Sequence, residues 1–168
     1  TTCSARILRQ DGSGWRFLSF TRPVGSSQLT KLSFYFQLSS LPGDVYLDDI
    51  SLVIGDTPGV GENVLANAGF EEPLEPAWSI GALATNSVIT TEVAHSGASS
   101  AHIIFTPGGL SLNNFSQSFP SLTPGTNYTL SFWYLGGSSG TNFSFRLNTF
   151  FTGSIDPRPP RSTPGAPH

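Results

Sequence analysis

The chain has 168 residues, of which 11% are charged and 38% apolar, with a formal net charge of -3 at pH 7. The charged share is far below the roughly 25% usual in soluble domains, so Ser, Thr, Asn and Gln must supply most of the surface, while 13 Phe can furnish a core. This balance excludes a basic footprint for nucleic acid, and no apolar run is long enough to cross a bilayer as a helix.

Thr1 is not a natural start, so the chain is expected to be an interior fragment or a processed piece. Cys3 is the single cysteine, which excludes an internal disulfide and a Cys-rich zinc site. It reads as a small residue near a frayed end or as an intermolecular thiol. After the turn signal QDGSG, Trp15–Phe20 (WRFLSF) reads as a strand. Lys31–Leu38 (KLSFYFQL) puts Leu32, Phe34, Phe36 and Leu38 on one face and Lys31, Ser33, Tyr35 and Gln37 on the other. LPGD marks a turn, and Val45–Val53 (VYLDDISLV) is the next strand. DTPGVG then separates it from NVLANAGFEE. EEPLEPAW is too rich in proline for a central strand. After HSGAS, Ala101–Phe105 (AHIIF) alternates, with Ala101, Ile103 and Phe105 on one side. Tyr128–Leu135 (YTLSFWYL) places Tyr128, Leu130, Phe132 and Tyr134 opposite Thr129, Ser131, Trp133 and Leu135. Phe143–Asn148 (FSFRLN) places Phe143, Phe145 and Leu147 opposite Ser144, Arg146 and Asn148. The tail DPRPPRSTPGAPH reads as an extended linker or an edge-covering strap. Period-2 alternation throughout, broken at near-regular intervals by Gly- and Pro-bearing turns, predicts an all-β antiparallel sandwich or barrel with almost no helix.

Asn63, Leu65, Asn67, Phe70 and Glu71, followed by Trp78, resemble the opening of jelly-roll carbohydrate-binding modules with a galactose-binding-like fold. That opening reads Asn-Leu-Leu-x-Asn-x-x-Phe-Glu and then a Trp; Val64 departs mildly from it. Ala94–Ile103 resembles the family's His-Ser-Gly turn and following strand. Leu122–Leu135 resembles its central strand, and Asp44–Leu52 its last. RSTPGAPH resembles a junction of large secreted multidomain bacterial proteins. The order is inverted, because the family's closing half, Gly14 to Val53, precedes its opening portion, Asn63 to Asn148. The resemblance therefore implies a jelly-roll β-sandwich in circularly permuted order, or a window out of register on an array of modules whose halves seek partners in a neighbouring chain. The expected organisation is 1–55 as closing strands, 56–62 as linker, 63–152 as opening and central strands packing with 1–55 in one sandwich, and 153–168 as a Pro-rich extended tail.

The resemblance also implies a structural Ca2+ where the first and last strands meet. Glu71 with Asp48 or Asp49 are the candidate ligands, joined by carbonyls near His95 to Ala98. Calcium takes six to eight oxygens at about 2.3–2.6 Å, which carboxylates and carbonyls supply. Alternation puts Asp48 and Asp49 on opposite faces, so one of them is expected to point into the site. The alternative is that these acids cap turns and face water. Trp133, Tyr35, Gln37 and Arg146 are the candidate ligand-binding residues, on the less apolar faces of three strands expected to share one sheet. Sugars stack their C–H faces on aromatic rings, while amides and guanidinium groups hold hydroxyls. Trp133 reads equally as a core residue, and Trp15 and Trp78 as core or sheet-edge residues.

Catalytic signals are weak. His95, His102 and His168 lack metal-ligand spacing. The pairs Asp48–Asp49 and Glu71–Glu72 are adjacent in strands, so the members of each diverge and cannot flank a glycosidic bond together. No Gly-rich phosphate loop opens a helix. Asn114, Asn127 and Asn142 head glycosylation sequons, which matter only in a host with the machinery. The expectation is no enzyme but a carbohydrate-binding module that tethers a secreted bacterial protein to polysaccharide, extracellularly or at the cell surface. The alternative is a structural or adhesive module, or a fibre subunit completed by strands from another copy of itself.

Overall fold

The computed structural model describes residues 6–10, 14–25, 29–36, 42–107, 114–137, 143–148 and 151–155, with 6–10, 36 and 151–155 described through their backbone. In chain order the strands are β1 (Arg6–Gln10), β2 (Arg16–Pro23), β3 (Lys31–Phe36), β4 (Gly43–Ile54), β5 (Ser79–Ile80), β6 (Val88–Thr90), β7 (Ser100–Phe105), β8 (Phe115–Ser118), β9 (Asn127–Gly136), β10 (Phe143–Leu147) and β11 (Phe151–Ile155). No helix occurs among the described residues. The fold is an all-β antiparallel sandwich. A six-stranded sheet has the order β1-β2-β9-β4-β7-β6 and a five-stranded sheet the order β11-β10-β3-β8-β5.

Alternation is what makes two sheets pack: each strand offers one apolar face, and the two apolar faces close on each other. Phe34, Phe132, Phe143 and Phe145 are essentially inaccessible to solvent. Phe34 stacks on Phe143 at 5.6 Å and meets Phe132 edge-on at 5.4 Å, so both sheets share one aromatic core. The side chain of Phe36, expected in the same cluster, lies outside the described residues. Next to Phe34, at 6.4 Å, Trp78 stacks on Phe115 at 4.7 Å and donates its indole N–H to the Asn67 carbonyl at 3.0 Å. Trp78 is thus core. Trp15 is also buried.

Strands from before and after the 56–62 link share both sheets. β2 lies beside β9, β4 sits between β9 and β7, and β3 sits between β10 and β8. Asn63 fastens the link. Its side-chain Oδ1 accepts the N–H groups of Leu52 (3.0 Å) and Leu65 (3.1 Å), and its Nδ2 donates to the Ile50 carbonyl (2.9 Å). The Val64 N–H to Leu52 carbonyl bond and the Ile50 N–H to Ala68 carbonyl bond lay the segment after Asn63 along the end of β4. β11 extends to Ile155, past the boundary expected at 152.

Candidate functional site

Two groups of candidate residues take their positions from this fold. The first surrounds the 95–99 turn. A β-bulge in β4 shifts the register between Asp48 and Ser51, and Asp49 there has φ 49°. A bulge adds a residue to one strand and re-aims its side chains. That overturns the expectation that Asp48 and Asp49 diverge, because both carboxylates reach the same turn. Asp48 Oδ2 accepts the N–H groups of His95 (2.8 Å) and Ser96 (3.2 Å), while its Oδ1 accepts the Asp49 N–H (2.8 Å). Asp49 accepts from His95 Nδ1 (2.8 Å) and from the Ser96 hydroxyl (2.7 Å).

Glu71 grips the far side of the turn. It accepts the Ala98 N–H at 3.1 Å and the Ser99 N–H at 3.3 Å, and the Ser99 hydroxyl at 3.3 Å. Gly97, at φ 65°, passes directly beneath that carboxylate, and a Cβ there would collide with it. The loop before Glu71 is organised by Asn67. Its amide donates to the carbonyls of Glu72 and Pro73, both at 2.9 Å, and its oxygen accepts the Glu72 N–H at 3.1 Å.

Asp48 is fully buried, and burial pushes its carboxyl up to about 6 against the opposing pull of its N–H donors, with the Asp49 charge adding to the rise. The turn presents N–H groups to Asp48 and Glu71 where a cation would need carbonyl oxygens. Each oxygen of Asp48, Asp49 and Glu71 already accepts a donor. Among the described residues no three His, Cys, Asp or Glu converge as a metal site. In this arrangement the three carboxylates act as a hydrogen-bonded clamp on the turn.

Trp133 belongs to that clamp. It stands on the outer face of the six-stranded sheet opposite Asp48, and the His95 imidazole stacks on its ring at 3.8 Å and 15°. Phe17 packs beside it at 5.1 Å. Nearby on the same sheet His102 pairs with Asp44 at 2.7 Å and stacks on Tyr46 at 4.1 Å.

Tyr35 and Arg146 lie elsewhere. The three strands expected to share a sheet do not, since β9 is in the six-stranded sheet and β3 and β10 in the five-stranded one. Alternation fixes which face a residue takes within its strand, but not which sheet the strand joins. The guanidinium of Arg146 stands 5.1 Å from the centroid of the Tyr35 ring. Gln37 lies outside the described residues. Because Leu32, Phe34, Phe143 and Phe145 face the core, the outer face carries Lys31, Ser33, Tyr35, Ser144 and Arg146. In register, Ser144 is opposite Tyr35, Arg146 opposite Ser33, Ser33 opposite Ser116, and Lys31 opposite Ser118. The serines and Lys31 were not singled out from sequence, although the same alternation that selected Tyr35 places them beside it.

This second group offers one half-buried aromatic ring, one exposed guanidinium, one exposed ammonium and the exposed hydroxyl of Ser118, with Ser33, Ser116 and Ser144 buried between them. Such a set binds by stacking and hydrogen bonding. It has no nucleophile paired with a base. Searches against protein-family models, curated proteins and solved structures return no match for the chain.

Proposed function

We propose that the protein is a non-catalytic carbohydrate-binding module that holds a larger extracellular or cell-surface protein to polysaccharide, and that the outer face of its five-stranded sheet is the binding surface. The observation that carries this reading is the pairing of Tyr35 with Arg146 on a face that also carries Lys31 and serines. A flat ring that stacks on a sugar, bordered by groups that hydrogen-bond to its hydroxyls, is what a pyranose needs. Trp133 ranks lower, because it is tied into the 95–99 clamp, with His95 stacked on its ring and Phe17 packed beside it. The resemblance of the 63–78 segment to jelly-roll carbohydrate-binding modules points the same way. Retention on a panel of insoluble β-glucans, xylans, mannans and pectins tests the proposal. The unmodified protein is expected to bind at least one, and Tyr35→Ala to lose that binding while melting as before. No retention on any member of the panel would refute it.

The second reading, a structural or adhesive module assembling by strand complementation, is favoured by the edge at β6. There Val88 is 49% exposed beside a groove of about 680 Å³ lined by Glu71–Glu75, Ile80 and Ser87–Ile89. An exposed edge strand is a template for another chain. Mass measurement over a dilution series separates the two, since assembly predicts oligomers that dissociate on dilution.

A further inference from the structure

We infer that the outer face of the five-stranded sheet takes acidic polysaccharide, with Arg146 and Lys31 meeting the carboxylates of uronic acid units. This rests on the carbohydrate-binding reading and names the ligand class. The first observation is the charge of the face. Lys31 and Arg146 are both exposed; among the described residues beside them Tyr35 is half-buried, Ser118 is exposed, and Ser33, Ser116 and Ser144 are buried. The chain as a whole carries -3, so this face opposes the sign of the molecule. Among the described residues no carboxylate lies within ion-pair distance of either cation, whereas His95 and His102 each have one. Arg146 instead lies over the Tyr35 ring at 5.1 Å; a guanidinium stacked on a ring can still hydrogen-bond through its planar edge.

The second observation is Ser144. Its residue is 1% exposed and its hydroxyl has no hydrogen-bond partner among the described residues. It stands in register with Tyr35 and two residues before Arg146 on the same face. A buried hydroxyl left unpaired is costly, and a ligand recovers that cost if its binding opens the cover over Ser144, whose hydroxyl is closed off in the free protein. A sugar hydroxyl both donates and accepts, so it suits a serine whichever way the serine O–H points. A neutral glycan would use Tyr35 and the serines and leave two cations unanswered. A simple polyanion would answer the cations and leave the ring and the hydroxyls. A polyuronate uses all three.

The spacing agrees. Arg146 pairs with Ser33, so Lys31 is its diagonal neighbour across the strand pair, a step of about 7–8 Å. A chain bearing a carboxylate on each unit can meet both cations along one diagonal.

The test compares polygalacturonate with the same polymer fully methyl-esterified, which keeps the backbone and removes the charge. Polyglutamate supplies charge without sugar. Binding is measured by affinity electrophoresis at 50 and 500 mM NaCl. The proposal predicts binding to polygalacturonate that weakens at high salt, and at least about tenfold weaker binding to the esterified polymer and to polyglutamate. Arg146→Gln should weaken polygalacturonate binding about five- to tenfold, with a smaller salt dependence. Ser144→Ala should weaken it without lowering the melting temperature of the free protein. Equal affinity for the esterified polymer, or salt-independent binding to neutral glycans, would overturn the acidic specificity and leave the carbohydrate reading standing. Equal binding to polyglutamate would overturn it in favour of plain charge attraction. Binding to no glycan would overturn both.

Discussion

Gly97 and Glu71 form a pair whose coupling can be worked out from the structure. The chain crosses beneath the Glu71 carboxylate at Gly97 with φ 65°, and a side chain there would occupy the space of Glu71 Oε1. Gly97→Ala therefore carries two costs. The left-handed backbone conformation disfavours Ala by about 1–2 kcal/mol. The displaced carboxylate also gives up its bonds to Ala98 and Ser99. Those bonds are partly exposed, so water offsets part of each, and together they contribute about 1–2 kcal/mol. Gly97→Ala should then destabilise by about 2–4 kcal/mol and Glu71→Ala by about 1–2 kcal/mol. In the double variant the methyl group meets no carboxylate and the clamp is already gone. Its stability should match Gly97→Ala alone to within about 0.5 kcal/mol. Urea unfolding of all four proteins at one pH measures this cycle. Additive losses in the double variant would refute the close approach, because they would mean that Glu71 and the residue at 97 act independently.

Phe34 touches aromatic rings of both sheets, so Phe34→Ala should cost about 3–5 kcal/mol in denaturant unfolding; a near-unchanged midpoint would remove it from the core. The Asp48 carboxyl has its folded value raised to about 6 from 3.8, so the folded state holds that proton more tightly than the unfolded chain. Its contribution is full below about pH 4 and fades by about pH 6, amounting to at most about 3 kcal/mol. Urea midpoints across this window should decline relative to those of Asp48→Asn, and parallel profiles would contradict the burial argument. A chelator should leave the melting temperature unchanged, since hydrogen bonds hold the 95–99 turn; a fall in melting temperature together with calcium in the purified protein would restore a metal to the clamp. Trp133→Ala should lower stability through the lost stack on His95 but leave polysaccharide retention intact, and loss of retention in a stably folded variant would move the site to the other sheet.

The parts of this structure legible from sequence are those governed by local period. The alternation of Leu32 and Phe34 against Lys31, Ser33 and Tyr35 is the core and outer face of β3, and Phe143 and Phe145 against Ser144 and Arg146 do the same for β10. Asn63 and Asn67, noticed as a motif, prove to be side-chain latches for the β4 end and for the loop that carries Glu71. What was not legible depends on relations between strands. Alternation cannot say that Trp133 enters one sheet and Tyr35 the other. The bulge at Asp48 leaves no mark in composition, yet it turns two divergent acids into convergent ones. Residue types likewise did not reveal that the 95–99 turn would aim N–H groups at those acids. The short edges β5 and β6 are too brief for a periodic signal.

The position of a bound glycan distinguishes the two sheets. Titration of the isotopically labelled protein with a short oligogalacturonate, followed by amide and side-chain NMR shifts, reads this directly. Shifts are predicted at Lys31–Tyr35, Ser116–Ser118 and Ser144–Arg146, with little change at Phe17, Tyr46 or Trp133. Shifts concentrated on those last three residues, or none at millimolar ligand, would contradict the assignment of the five-stranded sheet as the binding face.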